Sequence, residues 1–278
     1  MEKTSSAIET DNNTVLYHYT TIETLALILK NKTIRFNRLD NVDDLEEAYT
    51  TSQGINLSKY VFVSCWSETG EESIPQWRLY ANGQNGIRIS LEKKFFEEYI
   101  VSSTKEVQVE AGSGKYLLPL EQIFTNKYMF LPPVNDSPLF YKRIEYVEDV
   151  LPKRDEIAKL DEQDMSIGFG DVGSYKNKRW AFQDEVRFRL VAIPNPQGMS
   201  YSDPLFSNLF RLNLKNNIEL PFDHYDLKIK NTALDTLGVT LCPTAGESQK
   251  ILVSSLLNQY APQAIVEDSA FKGCLRFR

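Results

Sequence analysis

The stretch Trp180-Ala181-Phe182-Gln183-Asp184-Glu185-Val186-Arg187-Phe188-Arg189-Leu190 decides how this chain is read. Its alternation of apolar and polar positions has the period of a β-strand and predicts a strand over 180–192. Successive strand side chains point to opposite faces. Trp180, Phe182, Val186, Phe188 and Leu190 then share one face, with Asp184 the exception, and Gln183, Glu185, Arg187 and Arg189 share the other. The commonest arrangement for such a strand is half-buried, its polar face solvated and its charges paired. A sharper arrangement puts Glu185 at the mouth of a cleft, with Arg187 orienting it or binding phosphate.

A second segment, Leu16-Tyr17-His18-Tyr19-Thr20-Thr21, carries one of the two histidines. Val15, Tyr17 and Tyr19 alternate with Leu16, His18 and Thr20, which predicts a strand. Thr20-x-x-Glu23 forms a capping box, and Ile22, Leu25, Ile28 and Leu29 make the apolar stripe of a helix behind it. A lone histidine between two tyrosines is more often a hydrogen-bonded structural group than a catalyst. Its place just ahead of a helix N-terminus, where polar ligands are often held, favours a functional role. If His18 and Glu185 meet, they should line one cleft.

Composition narrows the class. The 278 residues allow one large domain or two small ones. Apolar residues at 42% support a real core. A net charge of −7 argues against a broad nucleic-acid-coating surface. It leaves room for a local basic groove built from Lys176, Lys178, Arg179, Arg187 and Arg189. Three widely spaced cysteines, Cys65, Cys242 and Cys274, fit neither a disulfide framework nor a metal spacing, and suggest a reducing, cytoplasmic setting. The polar start has no signal-peptide pattern, and no run of about 18 apolar residues implies a membrane span.

Strands are further predicted at 33–36, 60–66, 86–91, 140–146, 238–242 and 264–267, and helices from 41, at 74–81, 92–99, 148–165 and 243–258. Residues 1–14 read as a flexible N-terminus, 101–140 as a less regular insertion and 193–222 as loop. Strands and helices intersperse without a βαβ rhythm, so the expected class is α+β, one domain over 15–278. Core packing is the default for Trp66, Trp77 and Tyr80. Ser64-Cys65-Trp66-Ser67 has no base beside it in sequence, and the other histidine, His224, falls in the loop-like region, so a nucleophile pair is unsupported. Gly168-x-Gly170 is too short for a phosphate loop, and the acids of 40–47 read as a solvated helix start, not a calcium loop. No metal site is expected.

Several motifs occur in a fixed order: Leu16-Tyr17-His18-Tyr19-Thr20, Arg35-Phe36, the Asn41/Asp43/Asp44/Glu46 cluster, Ser64-Cys65-Trp66-Ser67, Trp77-x-x-Tyr80-Ala81 before Gly86-Ile87, and Trp180-x-x-x-x-Glu185-x-Arg187. Together with the 238–242 strand, its following helix and Asp268-Ser269, they cover most of 15–275. The set resembles the bacterial family called domain of unknown function 2971, whose members are similar in setting to phage-defence and toxin proteins. More distantly, the His-x-Thr start and the late strand glutamate resemble DarT-type ADP-ribosyltransferases. That resemblance implies an NAD-binding cleft between two small sheets with surrounding helices. It implies that Glu185 and His18 are catalytic, and that Tyr17, His18, Thr20, Arg35, Tyr80 and Arg187 contact NAD, which is a substrate. Tyr80 is the candidate for the middle tyrosine of the His-Tyr-Glu set. The acceptor would be nucleic acid or protein, and an inhibitory partner protein would be in keeping with a toxin. Two alternatives stand beside transfer: NAD hydrolysis, with water as acceptor, and a non-catalytic nucleotide-sensing or interaction module of the same fold.

Overall fold

A computed structural model describes residues 14–81, 83–102, 113–160, 165–196 and 204–276. The expected flexible N-terminus, apart from Thr14, and the turn residues Asn82 and Gly112 lie outside these. The fold is mixed α and β. Among the described residues, ten strands form one hydrogen-bonded sheet. In chain order they are β1 (Val15–Thr21), β2 (Thr33–Arg38), β3 (Val61–Ser67), β4 (Gly86–Glu92), β5 (Tyr128–Phe130), β6 (Tyr141–Arg143), β7 (Glu185–Pro194), β8 (His224–Lys228), β9 (Gly238–Leu241) and β10 (Ile265–Asp268). Helices α1 (Ile22–Asn31), α2 (Leu45–Ala48), α3 (Ile74–Tyr80), α4 (Leu120–Ile123), α5 (Leu151–Asp155), α6 (Phe206–Lys215) and α7 (Glu247–Tyr260) surround it. None is long and apolar enough to cross a membrane.

The main path of the sheet runs β6-β7-β3-β1-β4-β9-β10, antiparallel except for the parallel pair β9-β10. β7 pairs with β3 over seven registered positions, from Glu185↔Ser67 to Val191↔Val61. On the other edge of β3, β1 is registered only at Tyr17↔Ser67, while β2 takes the far end at Asn37↔Val63 and Arg38↔Phe62. β1 therefore leaves β3 after one pair and runs with β4 along its whole length. The sheet consists of two halves joined at one point, with a gap opening between β1 and β3.

Local chemistry explains most elements. The Thr21 hydroxyl, not that of Thr20, caps α1 by accepting from the Thr24 N–H at 3.3 Å, while Thr20 is buried within β1. Ile22, Leu25, Ile28 and Leu29 form the buried stripe of α1, and Lys32 closes it in the left-handed region at φ 54. The α3 helix starts at a Ser73 cap with Pro75 in the first turn, where its missing N–H costs nothing. Trp66, Phe95, Phe96, Phe140 and Phe188 pack ring against ring in the core.

Four expectations are corrected. The strand predicted from 180 begins only at Glu185. Residues Lys178–Gln183 form a 3-10 turn capped by the Asn177 side chain, and Asp184 reverses the chain at φ 42. The predicted helix at 92–99 is a turn at Lys93 and Lys94 followed by non-helical chain, because Phe95 and Phe96 both enter the core and Lys230 N–H donates to the Phe95 carbonyl at 2.8 Å. Among the described residues of 148–165 only α5 is helical, and beyond it 158–160 pairs with 165–167. The region 193–222 contains α6, whose Phe206, Phe210 and Leu214 recur at every fourth position. In 92–99 and 193–222, burial of specific aromatic or aliphatic side chains outweighs local propensity.

The polar face of β7 is not solvated. All ten of its residues are buried. A loop, Gly170–Ser174, covers that face and offers backbone oxygens to its guanidinium groups. Arg189 Nη1 donates to the Gly170 and Val172 carbonyls and to Ser174 Oγ at 2.9–3.1 Å, and Arg187 Nη1 donates to the Gly173 carbonyl at 3.0 Å. Gly173 sits at φ +66, and an added Cβ there would lie 2.8 Å from Leu39 Cδ2. We expect Gly173→Ala to cost about 1–3 kcal/mol, the range for a non-glycine residue held in the left-handed region, as read by urea denaturation. A stability equal to the parent's would mean that this loop does not clamp β7.

Candidate functional site

Where β1 parts from β3 a cavity of about 120 Å³ opens, walled by Tyr17, His18, Tyr19, Cys65, Trp66 and Tyr80 and floored by Lys176, Glu185 and Arg187, with Val42, Asp43, Gln76 and Gln183 completing the lining. The size decides what fits. An apolar cavity of about 150 Å³ holds one benzene, so this one accommodates a single ring-sized group and any larger molecule must extend outside it.

Strand register explains why these residues converge. Directly paired residues share a face, so Tyr17, Ser67 and Glu185 lie on one side, and with them Tyr19, Cys65 and Arg187. His18 alternates to the other side and meets Trp66 at 5.1 Å between ring centroids. Because β1 has left β3 here, residues of both faces border the same space.

His18 Nδ1 lies 2.8 Å from the Cys65 carbonyl oxygen. A carbonyl only accepts, so Nδ1 carries the proton and donates. Among the described residues Nε2 has no hydrogen-bond partner, and it is left as an acceptor. Burial pushes the imidazole pKa down, more than the carbonyl raises it. His18 is therefore neutral at physiological pH, suited to accept a hydroxyl or amide proton and not to donate a second one.

Glu185 sits in a buried quartet of charges. Its two oxygens accept from Arg187 Nε and, at 2.8 Å, from Lys176 Nζ. Arg187 also grips both oxygens of Glu47, which comes from α2, and Lys176 Nζ is 3.7 Å from Glu47. All four side chains are at most 5% exposed. Burial raises the Glu185 carboxyl, but the charges of Arg187 and Lys176 outweigh it and hold the group at about 2. For Glu47 burial is the larger influence and pushes the carboxyl up. Its ionised form is still the one that pairs both guanidinium donors of Arg187. A polar chain leads outward from the quartet. Lys176 Nζ donates to Gln183 Oε1 at 2.7 Å, Gln183 Nε2 to the Tyr80 hydroxyl at 2.5 Å, and Tyr80 to Asp43 at 3.1 Å. Burial first, then Asp43, pushes the Tyr80 phenol far up, so it stays a donor. The Cys65 thiol is likewise pushed up, by burial and then by the charge of Glu185.

Of the residues singled out from sequence, Tyr17, His18, Tyr80, Glu185 and Arg187 border this cavity and Thr20 and Arg35 do not. Arg35 is on β2, half-exposed and paired with Asp226 on β8. His224 is exposed on β8 beside Asp223. The basic groove is corrected as well. Lys176, Arg187 and Arg189 are buried, while Lys178 pairs with Glu148 and Arg179 with Glu46. Glu47 and Gln76 were missed, and Cys65 and Gln183, though singled out, were not assigned to the site. Glu47 reads in sequence as an ordinary acid at a helix start, and nothing local marks it as the partner of an arginine on a distant strand. No group of three or more metal-ligating side chains occurs among the described residues.

No protein-family model, curated protein or solved structure matches the chain. The reading of this site therefore rests on its own geometry.

Removing one member of a buried ion pair strands its partner's charge, which typically costs about 3–5 kcal/mol. We expect Glu185→Gln to lose that much stability at pH 7 by chemical denaturation. The pH dependence has a definite sign. The folded-state value near 2 lies below the ordinary 4.5. The contribution of Glu185 is thus complete above about 4.5 and fades as pH falls toward 2, with Glu47 offsetting part of it. The deficit of the variant should shrink over that window. A deficit that is constant from pH 7 to 2.5 would contradict the ion-pair account.

Proposed function

We propose that this chain is an NAD-dependent ADP-ribosyltransferase, with an ADP-ribosyltransferase-like fold, acting as a toxin or phage-defence effector in the cytoplasm. One observation carries the reading. Two segments far apart in the chain contribute His18 and Glu185 to a single cavity, together with Tyr17, Tyr80 and Arg187. The volume suits one ring of NAD, with the remainder of the dinucleotide outside.

The chemistry is coherent with these groups. Breaking the nicotinamide–ribose bond builds positive charge on the ribose, as in glycoside cleavage, and a carboxylate beside the 2′-hydroxyl stabilises it. Nicotinamide leaves without needing a proton, so one carboxylate suffices. A carboxylate offers about four lone-pair sites. Lys176 and Arg187 occupy two on Glu185, which leaves two for ribose hydroxyls. His18 would accept from a ribose hydroxyl at Nε2 and position it. An open acceptor site in place of protein or nucleic acid would let water complete a hydrolysis.

The pairing of Glu185 with two cations favours a second reading, a non-catalytic module of the same fold that binds a nucleotide. Two positive charges beside the carboxylate weaken its field for a developing cation.

The assay is nicotinamide release from NAD, with and without DNA, RNA or protein. The enzyme reading expects release, and expects Glu185→Gln to lower the rate by on the order of 10²–10³, the scale for one electrostatic stabiliser. Because that variant also loses stability, His18→Ala, which touches no member of the quartet, runs beside it and should also slow release. Release without any acceptor identifies a hydrolase. No release in any mixture, with NAD still raising the melting temperature, leaves the binding module. Neither release nor a thermal shift would remove both readings.

A further inference from the structure

We infer that Glu47 is a specificity-determining residue of the cavity. It supplies, from behind the floor, the negative charge that together with Glu185 balances the buried cations Lys176 and Arg187, so the cavity admits uncharged or cationic groups and turns anions away. The inference rests on the reading above only in taking this cavity as the binding site.

The argument is one of charge placement. Two of the charged groups that floor the cavity, Lys176 and Arg187, are cations, and one, Glu185, is an anion. Alone, that floor would be a ready site for phosphate or carboxylate. Glu47 does not border the cavity, yet it holds Arg187 through both guanidinium nitrogens Nη1 and Nη2 and lies 3.7 Å from Lys176. With it, two carboxylates balance two cations, all buried. Asp43 at the exposed edge adds a further negative charge, and the neighbouring His18 is neutral. Arg187 Nε, Nη1 and Nη2 each donate to a carboxylate and Lys176 Nζ donates to Glu185 and Gln183, so an entering anion finds both cations already paired. A loose phosphate site would need those donors free.

Cys65 makes this measurable without NAD. It borders the cavity, while Cys274 is exposed and serves as an internal reference. Iodoacetamide and iodoacetate react alike. The thiolate forms an S–C bond, iodide departs with the C–I electron pair, and the thiol proton goes to buffer. They differ in charge, so the ratio of their rates cancels the thiolate fraction and reports the field in the cavity. One unit charge removed at about 10 Å, at an effective dielectric of about 20, changes that ratio by on the order of tenfold.

The experiment follows alkylation of Cys65 and Cys274 by peptide mass spectrometry at pH 8.5. In the parent protein, the iodoacetate-to-iodoacetamide ratio at Cys65 should fall below that at Cys274. Glu47→Gln should raise it roughly tenfold, Lys176→Met should lower it further, and the double variant should return it to the parent value. An unchanged ratio in folded Glu47→Gln overturns the inference. So does a parent protein that favours iodoacetate. Where the single variants do not fold, the double variant, whose remaining charges balance, still decides, since a ratio about tenfold from the parent's would overturn it. Nicotinamide release is measured separately, so a parent that excludes iodoacetate but leaves NAD intact sinks the enzyme reading alone.

Discussion

Four buried charges, Glu47, Arg187, Glu185 and Lys176, hold this structure to its particular form. They come from α2, from β7 and from the ribbon strand Tyr175–Asn177 that precedes the 3-10 turn. No one of them tolerates burial alone, since an unpaired charge in a protein interior costs several kcal/mol. Each element is therefore committed to the others. The register of β7 on β3, the placing of α2 across that face, and the Gly170–Ser174 loop whose carbonyls receive Arg187 and Arg189 are parts of one electrostatic arrangement. Such a quartet adds little net stability compared with a hydrophobic core of equal volume. Its consequence is geometric, a carboxylate held at a defined place with a defined charge.

The cavity above the quartet exists because the sheet is divided. β3 serves as a shared spine, bound by β7 along its length on one edge and by β1 and β2 at opposite ends of the other. Once β1 has left it, side chains from both of its faces border one space. A histidine packed against the aromatic core then comes within reach of the polar face of β7. A flat, fully paired sheet would keep His18 and Glu185 on opposite sides.

How much of this was legible in sequence follows from the range of the forces involved. Caps, apolar stripes and alternation act over a few residues, and they located β1, α1, β3, α3, β4, β9 and α7 closely. The cap of α1 fell one residue later than the Thr20-x-x-Glu23 pattern suggested, because Thr20 is buried within β1 and the helix begins at Ile22, which puts the Thr24 N–H within reach of the Thr21 hydroxyl. The alternation of 180–192 was misread in two ways. Its first part is a turn governed by Asn177 and Asp184. Its polar face is covered by a loop too far along the chain for any local pattern to report. Phe95 and Phe96 likewise abandon the helical pattern, since two adjacent aromatics are better buried from non-helical chain packed on β8.

By itself, the sequence determined an α+β chain with a core, and the candidate residues His18 and Glu185 on strands, because periodicity and capping are written in neighbouring positions. Only the tertiary structure decided that the polar face of β7 is buried, that Arg35 stands away from the cavity, and that Glu47 pairs with the cations beneath it. Those outcomes depend on which distant charge can be paired when water is excluded, and a pairing between α2 and β7 leaves no trace in the spacing of either.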